Sequence, residues 1–139
     1  MRATFLIDHS YAVAVGESHF DLHNDFDFVG FEYRPSEKTA RLEWQGGTGD
    51  WVSKTLPCKL VLLFEDVTNL AVQRREDEMP FSEDSCVHSI DFSPPELADT
   101  FDVTCPDYRS ETEHLSIKFQ SGSGIKVWAG SVTHEIQLA

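Results

Sequence analysis

The sequence has 139 residues, of which 40% are hydrophobic and 12% are aromatic. A chain of this length and composition can bury a core without a metal or a disulfide framework, which argues against intrinsic disorder. Its 24 acidic and 11 basic residues give a formal net charge of -13, and a field of that sign repels nucleic acid and anionic membranes. We therefore expect one domain over residues 1–139 with no nucleic-acid and no membrane partner.

Cysteine spacing and the start of the chain bear on location. Cys58, Cys86 and Cys105 are odd in number and far apart, so they suggest neither a zinc knuckle nor a disulfide framework. The first residues contain one basic side chain and a short apolar run that ends at Asp8, which is not the pattern of a secretory signal. No apolar stretch approaches the roughly 20 residues of a membrane-spanning helix. The expectation is a cytoplasmic protein.

Alternation of apolar and polar residues with period two dominates the first half of the chain. It predicts short strands at 4–7 and 11–15, and a longer aromatic strand at 26–33. Gly30 interrupts that strand in the manner of a β-bulge. The turn at 34–37 then leads into an alternating stretch at 38–45, so the two strands are predicted to form a hairpin.

The second half continues in the same way. Residues 58–64 are almost all apolar and predict a central strand, and 86–92 alternate again. Ser93, Pro94 and Glu96 form the signature of a capped helix start, so we predict one short helix over 93–99. Alternating residues at 115–119 and 125–129 flank a Ser-Gly turn and predict a second hairpin, and 131–138 a last strand. The chain is thus mainly β, or α+β if the helix is counted, with an antiparallel sheet curled into a sandwich or open barrel.

Three metal-ligating side chains stand at alternate positions near the start. On an extended strand, His19, Asp21 and His23 would point to the same face. Two neutral imidazoles and a carboxylate can ligate zinc or iron, and an open coordination position would make such a site catalytic. The competing interpretation is a polar strand edge that faces solvent.

Two acidic loops and one tryptophan are candidates for binding a partner. The loops contain Glu76, Asp77 and Glu78, followed by Glu83 and Asp84. Trp128 is out of phase with the apolar face of its strand, which places it on an outer face where it could anchor a partner. A basic protein suits such a surface, because complementary fields speed encounter. The general alternative is that the acidity only maintains solubility.

Three segments of the first half carry a resemblance to a known group. They are LHNDFDFVGFEY at 22–33, ARLEW at 40–44 and LVLLFEDVTNL at 60–70. The chain resembles a group of small bacterial β-rich proteins, some assigned as immunity proteins of polymorphic toxin systems. In that group a contiguous His-Asp precedes the hairpin, whereas here Asn24 separates His23 from Asp25. The resemblance implies a β-rich fold and a role as the inhibitor of a toxin, and it transfers no site residues.

These observations lead to three function hypotheses of different classes. The sequence contains no nucleophile elbow, no zinc-protease helix and no dinucleotide fingerprint. The leading hypothesis is a non-enzymatic acidic domain, without a cofactor, that binds a basic protein, in the immunity sense a toxin. The rival is a small metal-dependent or ligand-binding β-barrel that uses His19, Asp21 and His23. The third hypothesis is an assembly subunit that acts through an exposed sheet edge.

Overall fold

The computed structural model describes residues 1–47, 57–101 and 113–138. Within these ranges the chain is built of twelve β-strands and two short 3-10 helices, over Phe81–Ser85 and Pro95–Leu97. The strands are β1 (Arg2–Ala3), β2 (Leu6–Asp8), β3 (Ala12–Val15), β4 (Ser18–Asp21), β5 (Phe26–Arg34), β6 (Thr39–Gly46), β7 (Lys59–Glu65), β8 (Asn69–Gln73), β9 (Val87–Ser93), β10 (His114–Phe119), β11 (Gly124–Trp128) and β12 (Ser131–Gln137). In this part of the chain no helix is long and apolar enough to cross a membrane.

The strands form three sheets rather than one curled sheet. The five-stranded sheet has the order β1-β12-β7-β6-β5, the four-stranded sheet β8-β11-β10-β9, and the three-stranded sheet β2-β3-β4. Neighbouring strands are antiparallel except for β1, which runs parallel to β12. Among the described residues none of the sheets closes into a barrel. The mainly β prediction is confirmed, and the architecture is like a sandwich.

A single core joins the sheets. Leu42 on β6 and Ile117 on β10 are fully buried, and both belong to the same cluster of apolar side chains. Phe28 of β5 meets Phe119 of β10 with 4.7 Å between the ring centroids. Burying one such side chain contributes about 2 kcal/mol, so the alternating apolar residues that the sheets direct into this cluster stabilise the fold.

Both predicted hairpins are present. β5 pairs with β6, and the register skips Val29 between Phe28 and Gly30, so the predicted bulge is confirmed, with Val29 as its extra residue and Gly30 beside it. β10 pairs with β11 around a turn in which Gly122 adopts a φ of +86°. β7 is central as predicted, between β12 and β6, although Leu63 on its outer face is only partly buried.

The predicted helix over 93–99 is wrong in extent and in its cap. Ser93 is the last residue of β9 and is buried, and no side-chain hydrogen bond caps the 3-10 helix at Pro95–Leu97. Ser93 pairs with His114 across the sheet, so the strand extends through the position that local signals assigned to a cap. Sheet pairing has overridden the local preference.

The second face of the four-stranded sheet is polar but covered. Lys126 on β11 is 1% exposed, and its Nζ donates to the carbonyl of Leu97 at 2.7 Å. Phe101 lies against Gly124, and its ring centroid is 4.9 Å from the same Nζ. The chain after β9 therefore returns over this face and shields it from solvent.

Candidate functional site

The predicted acidic loops lie beside an edge of the four-stranded sheet. In the described residues β8 pairs only with β11, and the chain then runs through 74–80 into the 3-10 helix Phe81–Ser85. The amide of Glu76 donates to the carbonyl of Ser121 at 2.8 Å, and the amide of Gln120 donates to the carbonyl of Cys86 at 2.8 Å. These bonds tie both ends of the loop to the β10–β11 turn.

Arg75 organises the loop from within. Its Nε donates to both carboxylate oxygens of Asp84, at 3.0 and 3.2 Å, and its Nη2 donates to the carbonyl of Met79 at 2.6 Å. Its guanidinium also lies 4.5 Å from the ring centroid of Phe81. The hydrogen bond with Ser121 and the bonds from Arg75 hold the pKa of Asp84 below its ordinary value, so this carboxylate stays charged. The loop is a built structure around one partly buried arginine.

An apolar groove opens next to this loop. It measures about 320 Å³ and lies between β5 and β8, with Phe119 and Ile125 of the core in its lining. Phe81 is 81% exposed, Val72 is 64% exposed and Val29 is 52% exposed, and all three line the groove. Large apolar side chains grouped at the surface mark interaction sites more often than single exposed ones do.

The charges around the groove are only partly those predicted. Asp77 pairs with Arg74 at 2.8 Å, and Asp84 pairs with Arg75, so two of the five predicted acidic residues are compensated. The carboxylates of Glu76, Glu78 and Glu83 make no ion pair with any residue that the structure describes. Residues 74–84 hold five acidic and two basic residues, so an uncompensated charge of -3 remains beside the groove.

Trp128 is not part of this surface, and it is half-buried where the pattern predicted an exposed side chain. It is out of phase with the core as predicted, but the outer face on which it lies is the covered one. Its ring stacks on that of His114, with 4.4 Å between the centroids. It also pairs with Asn69 at the start of β8, whereas the acidic loops follow the end of β8. The alternating pattern predicted the correct face of β11 for Trp128, but it did not predict that other residues cover this face.

His19, Asp21 and His23 do not converge. β4 ends at Asp21, whose Oδ1 accepts a hydrogen bond from the amide of His23 at 2.9 Å, so the chain turns where the prediction requires an extended strand. The Nε2 of His19 is 3.1 Å from Oδ2 of Asp8, and the Nδ1 of His23 donates to the carbonyl of Val87 at 2.7 Å. No three histidine, cysteine, aspartate or glutamate side chains in the described ranges are placed to hold a metal ion.

Sequence reasoning missed the apolar part of the site. Phe81, Val72 and Val29 were not singled out, although Phe81 carries a visible signal, since it is an aromatic residue between Pro80 and a polar turn. Val29 stands beside the glycine that was predicted to mark a bulge. Their grouping depends on two strands from different sheets, which local patterning does not reveal.

Comparisons of the chain with protein-family models, with curated proteins and with solved structures found no match.

Proposed function

We propose that this chain is a non-enzymatic binding domain that receives a basic, extended segment of a partner protein in the groove beside Phe81. The observation that carries the proposal is Phe81 itself, which is 81% exposed yet held in place by Arg75. Aromatic side chains that are fixed before binding lose little entropy when a partner covers them, and they act as hot spots.

The outer edge of β8 and the negative charge beside it indicate that the bound segment is extended and basic. An edge strand offers backbone donors and acceptors to an added strand, whose alternate side chains enter neighbouring pockets. Val72 on β8 and Phe81 provide an apolar contact for one of those side chains. The carboxylates of Glu76, Glu78 and Glu83 favour lysine or arginine at the positions between.

Inhibition of a basic toxin in the cytoplasm is the finer form of this proposal. Its support is the resemblance of segments 22–33, 40–44 and 60–70 to immunity proteins, together with the net charge of -13. In that form the toxin would supply the basic strand that lies along β8.

A peptide titration tests the proposal. The probe is a synthetic peptide of about six residues, the usual length of a strand, that alternates lysine and phenylalanine. Followed by amide NMR, it should give saturable shifts at β8 and at 81–85, and Phe81→Ala should weaken binding by about tenfold. Leu6→Ala is the matched control, because Leu6 is 64% exposed on a different sheet.

The same titration can overturn the proposal. A peptide with glutamate in place of lysine should not bind, because it would be repelled by the surface. Equal binding of both peptides, equal losses in Phe81→Ala and Leu6→Ala, or no saturable shift at β8 would each rule out the groove as the site of a basic partner.

A further inference from the structure

A second cavity, of about 730 Å³, lies between the three-stranded sheet and the polar face of the four-stranded sheet. One wall comes from the β2–β3 turn, with His9 and Tyr11, and from the turn after β4, with His23. The opposite wall comes from β9 and β10, with His88 and Lys118. Its volume falls within the range of about 300–1,000 Å³ that is usual for small-molecule sites.

The described lining of this cavity lacks the acidic excess of the molecule as a whole. Of the chain's six histidines, His9, His23 and His88 line the cavity, and Lys118 adds a positive charge. Asp21 is the one acidic residue in the lining that the structure describes. Its carboxylate is already engaged, since Oδ1 accepts the amides of His23 and Asn24 and Oδ2 accepts the side-chain amide of Asn24, each at 2.9 Å.

One imidazole is held by a hydrogen bond, and a second is placed at the cavity by a β-bulge. The Nδ1 of His23 donates to the carbonyl of Val87 at 2.7 Å, which fixes this ring on the cavity wall. His88 is the extra residue of a β-bulge, because Lys118 pairs with Ser89 while the next residue of β10 pairs with Val87. Bulges of this kind aim one side chain away from the regular pleat, and they are frequent next to functional sites.

The surroundings of His88 favour the neutral form of its ring. Burial lowers its pKa, and the nearby Lys118 and His23 lower it further. His9, Tyr11 and Asp21 are the other titratable groups of the lining. An anion placed among these groups would favour the protonated imidazole and reverse the shift.

The wall formed by the β2–β3 turn is fixed to the four-stranded sheet. Ser10 Oγ donates to Oδ1 of Asp91 at 2.7 Å, and the carbonyl of Ser10 accepts the amide of Ile90 at 2.8 Å. His9 and Ser10 adopt positive φ values of 51° and 63°, a conformation that persists only when the surrounding structure enforces it. The two walls therefore form one preorganised cavity.

We propose that this cavity binds a small organic molecule through an oxyanion group, with Lys118 and the imidazoles of His23 and His88 around the anion. The cavity is larger than an inorganic anion needs, so the group is carried by an organic body. Tyr11 and Phe101 in the lining provide aromatic surface for that body. The proposal is independent of the groove beside Phe81, which lies elsewhere on the protein.

Histidine NMR with simple aromatic probes tests the site. Phenyl phosphate and benzoate each carry an oxyanion on a ring, and benzamide is the uncharged match. At least one anion should shift the ring signals of His23 and His88 saturably and raise the pKa of His88, whereas benzamide should not. Lys118→Met should weaken that binding by about tenfold, as expected for loss of a charge-assisted hydrogen bond. Lys38→Met, at the exposed β5–β6 turn, is the matched control and should leave it unchanged.

The outcomes separate cleanly. The tighter of the two anions identifies the group as phosphate or carboxylate. Equal binding by Lys118→Met and Lys38→Met, equal shifts with benzamide, or no saturation with either anion would overturn the proposal. If Lys118→Met does not fold, His88→Gln replaces it, and unchanged affinity in that variant together with an unchanged pattern of His23 shifts would likewise overturn it.

Discussion

Lys126 shows, at the scale of single residues, what the period-two pattern conveys and what it omits. The pattern places this side chain on the face opposite the core, and the structure agrees, but the face is covered and Lys126 is 1% exposed. Its Nζ donates to the carbonyl of Leu97 and contacts Nε2 of His114 at 3.0 Å. Sequence periodicity could not predict that this face is covered, because Leu97 and Phe101 come from a different part of the chain.

The pair makes His114 a source of pH dependence. Burial, and then the charge of Lys126, lower the pKa of His114 from 6.5 to about 4. The unfolded state therefore binds more protons than the folded state between these values, and the free energy of unfolding falls as the pH drops through that window. One proton corresponds to a slope of about 1.4 kcal/mol per pH unit.

We predict that His114→Gln flattens the pH profile. Urea unfolding at steps between neutral pH and pH 4 should show a smaller loss of stability for the variant than for the parent chain, because the variant lacks the protonation step at this site. His9→Gln is the control, since His9 is exposed. Parallel profiles for the parent and His114→Gln would contradict the burial of a neutral imidazole.

Gly124 gives a second prediction at this scale. A Cβ there would overlap the ring of Phe101 and lie 3.1 Å from the carbonyl oxygen of Ile117. Gly124→Ala should cost about 1–3 kcal/mol, the range for overpacked positions, and thermal unfolding would measure it. Gly30→Ala is the matched control, because a Cβ at Gly30 meets nothing within 4 Å. Equal midpoints would show that the cover over β11 is loosely packed.

At the scale of elements, local signals predicted strands and hairpins well and loop contents poorly. The β5–β6 and β10–β11 hairpins follow from alternation and turn residues, which are local in sequence. The helix at 93–99 failed because Ser93 pairs with His114, a contact between distant residues. The acidic loops at 76–78 and 83–84 were predicted from their charge alone, whereas Arg75 joins them into one structure around Phe81.

Substituting Arg75 should therefore loosen the loop, whereas substituting the neighbouring Arg74 should not. Arg75→Gln removes bonds to Asp84 and to the carbonyl of Met79, so we expect amide hydrogen exchange to accelerate across 76–86 and stability to fall by about 1–2 kcal/mol. Arg74→Gln is the control, since the exposed pair with Asp77 contributes little. Similar exchange in both variants would show that Phe81 is not held by Arg75.

At the scale of the whole molecule, the sequence predicted the fold class and the sign of the field but not the arrangement of sheets. Period two identifies which segments are strands, and it contains no information on which strands become neighbours. The groove beside Phe81 and the cavity beside His88 both lie where different sheets meet, so neither could be predicted as a site. The net charge does not depend on which strands are neighbours, so the sequence alone predicts it.

The negative electrostatic field of the protein should affect the rate at which a basic partner associates more than the affinity of the complex. Stopped-flow mixing with the lysine–phenylalanine peptide should show an association rate that falls by about tenfold between roughly 0.05 M and 0.5 M salt. Combined Glu76→Gln and Glu78→Gln should reduce this salt dependence more than combined Glu17→Gln and Glu135→Gln, which removes the same charge elsewhere. A rate that salt does not change would remove the electrostatic part of the proposed function.

The bulge beside Gly30 also affects which outer strand could pair with a second copy of this protein. It distorts β5, an outer strand of the five-stranded sheet, and an irregular outer strand is a poor template for a neighbour. β8 has no register shift along its pairing with β11, but the charge of -3 beside it repels the same charge on a second copy, so dimers through β8 should form only where salt screens that charge. Dimers that form in concentrated samples should then dissociate when the lysine–phenylalanine peptide is added, because peptide and second copy would compete for one strand.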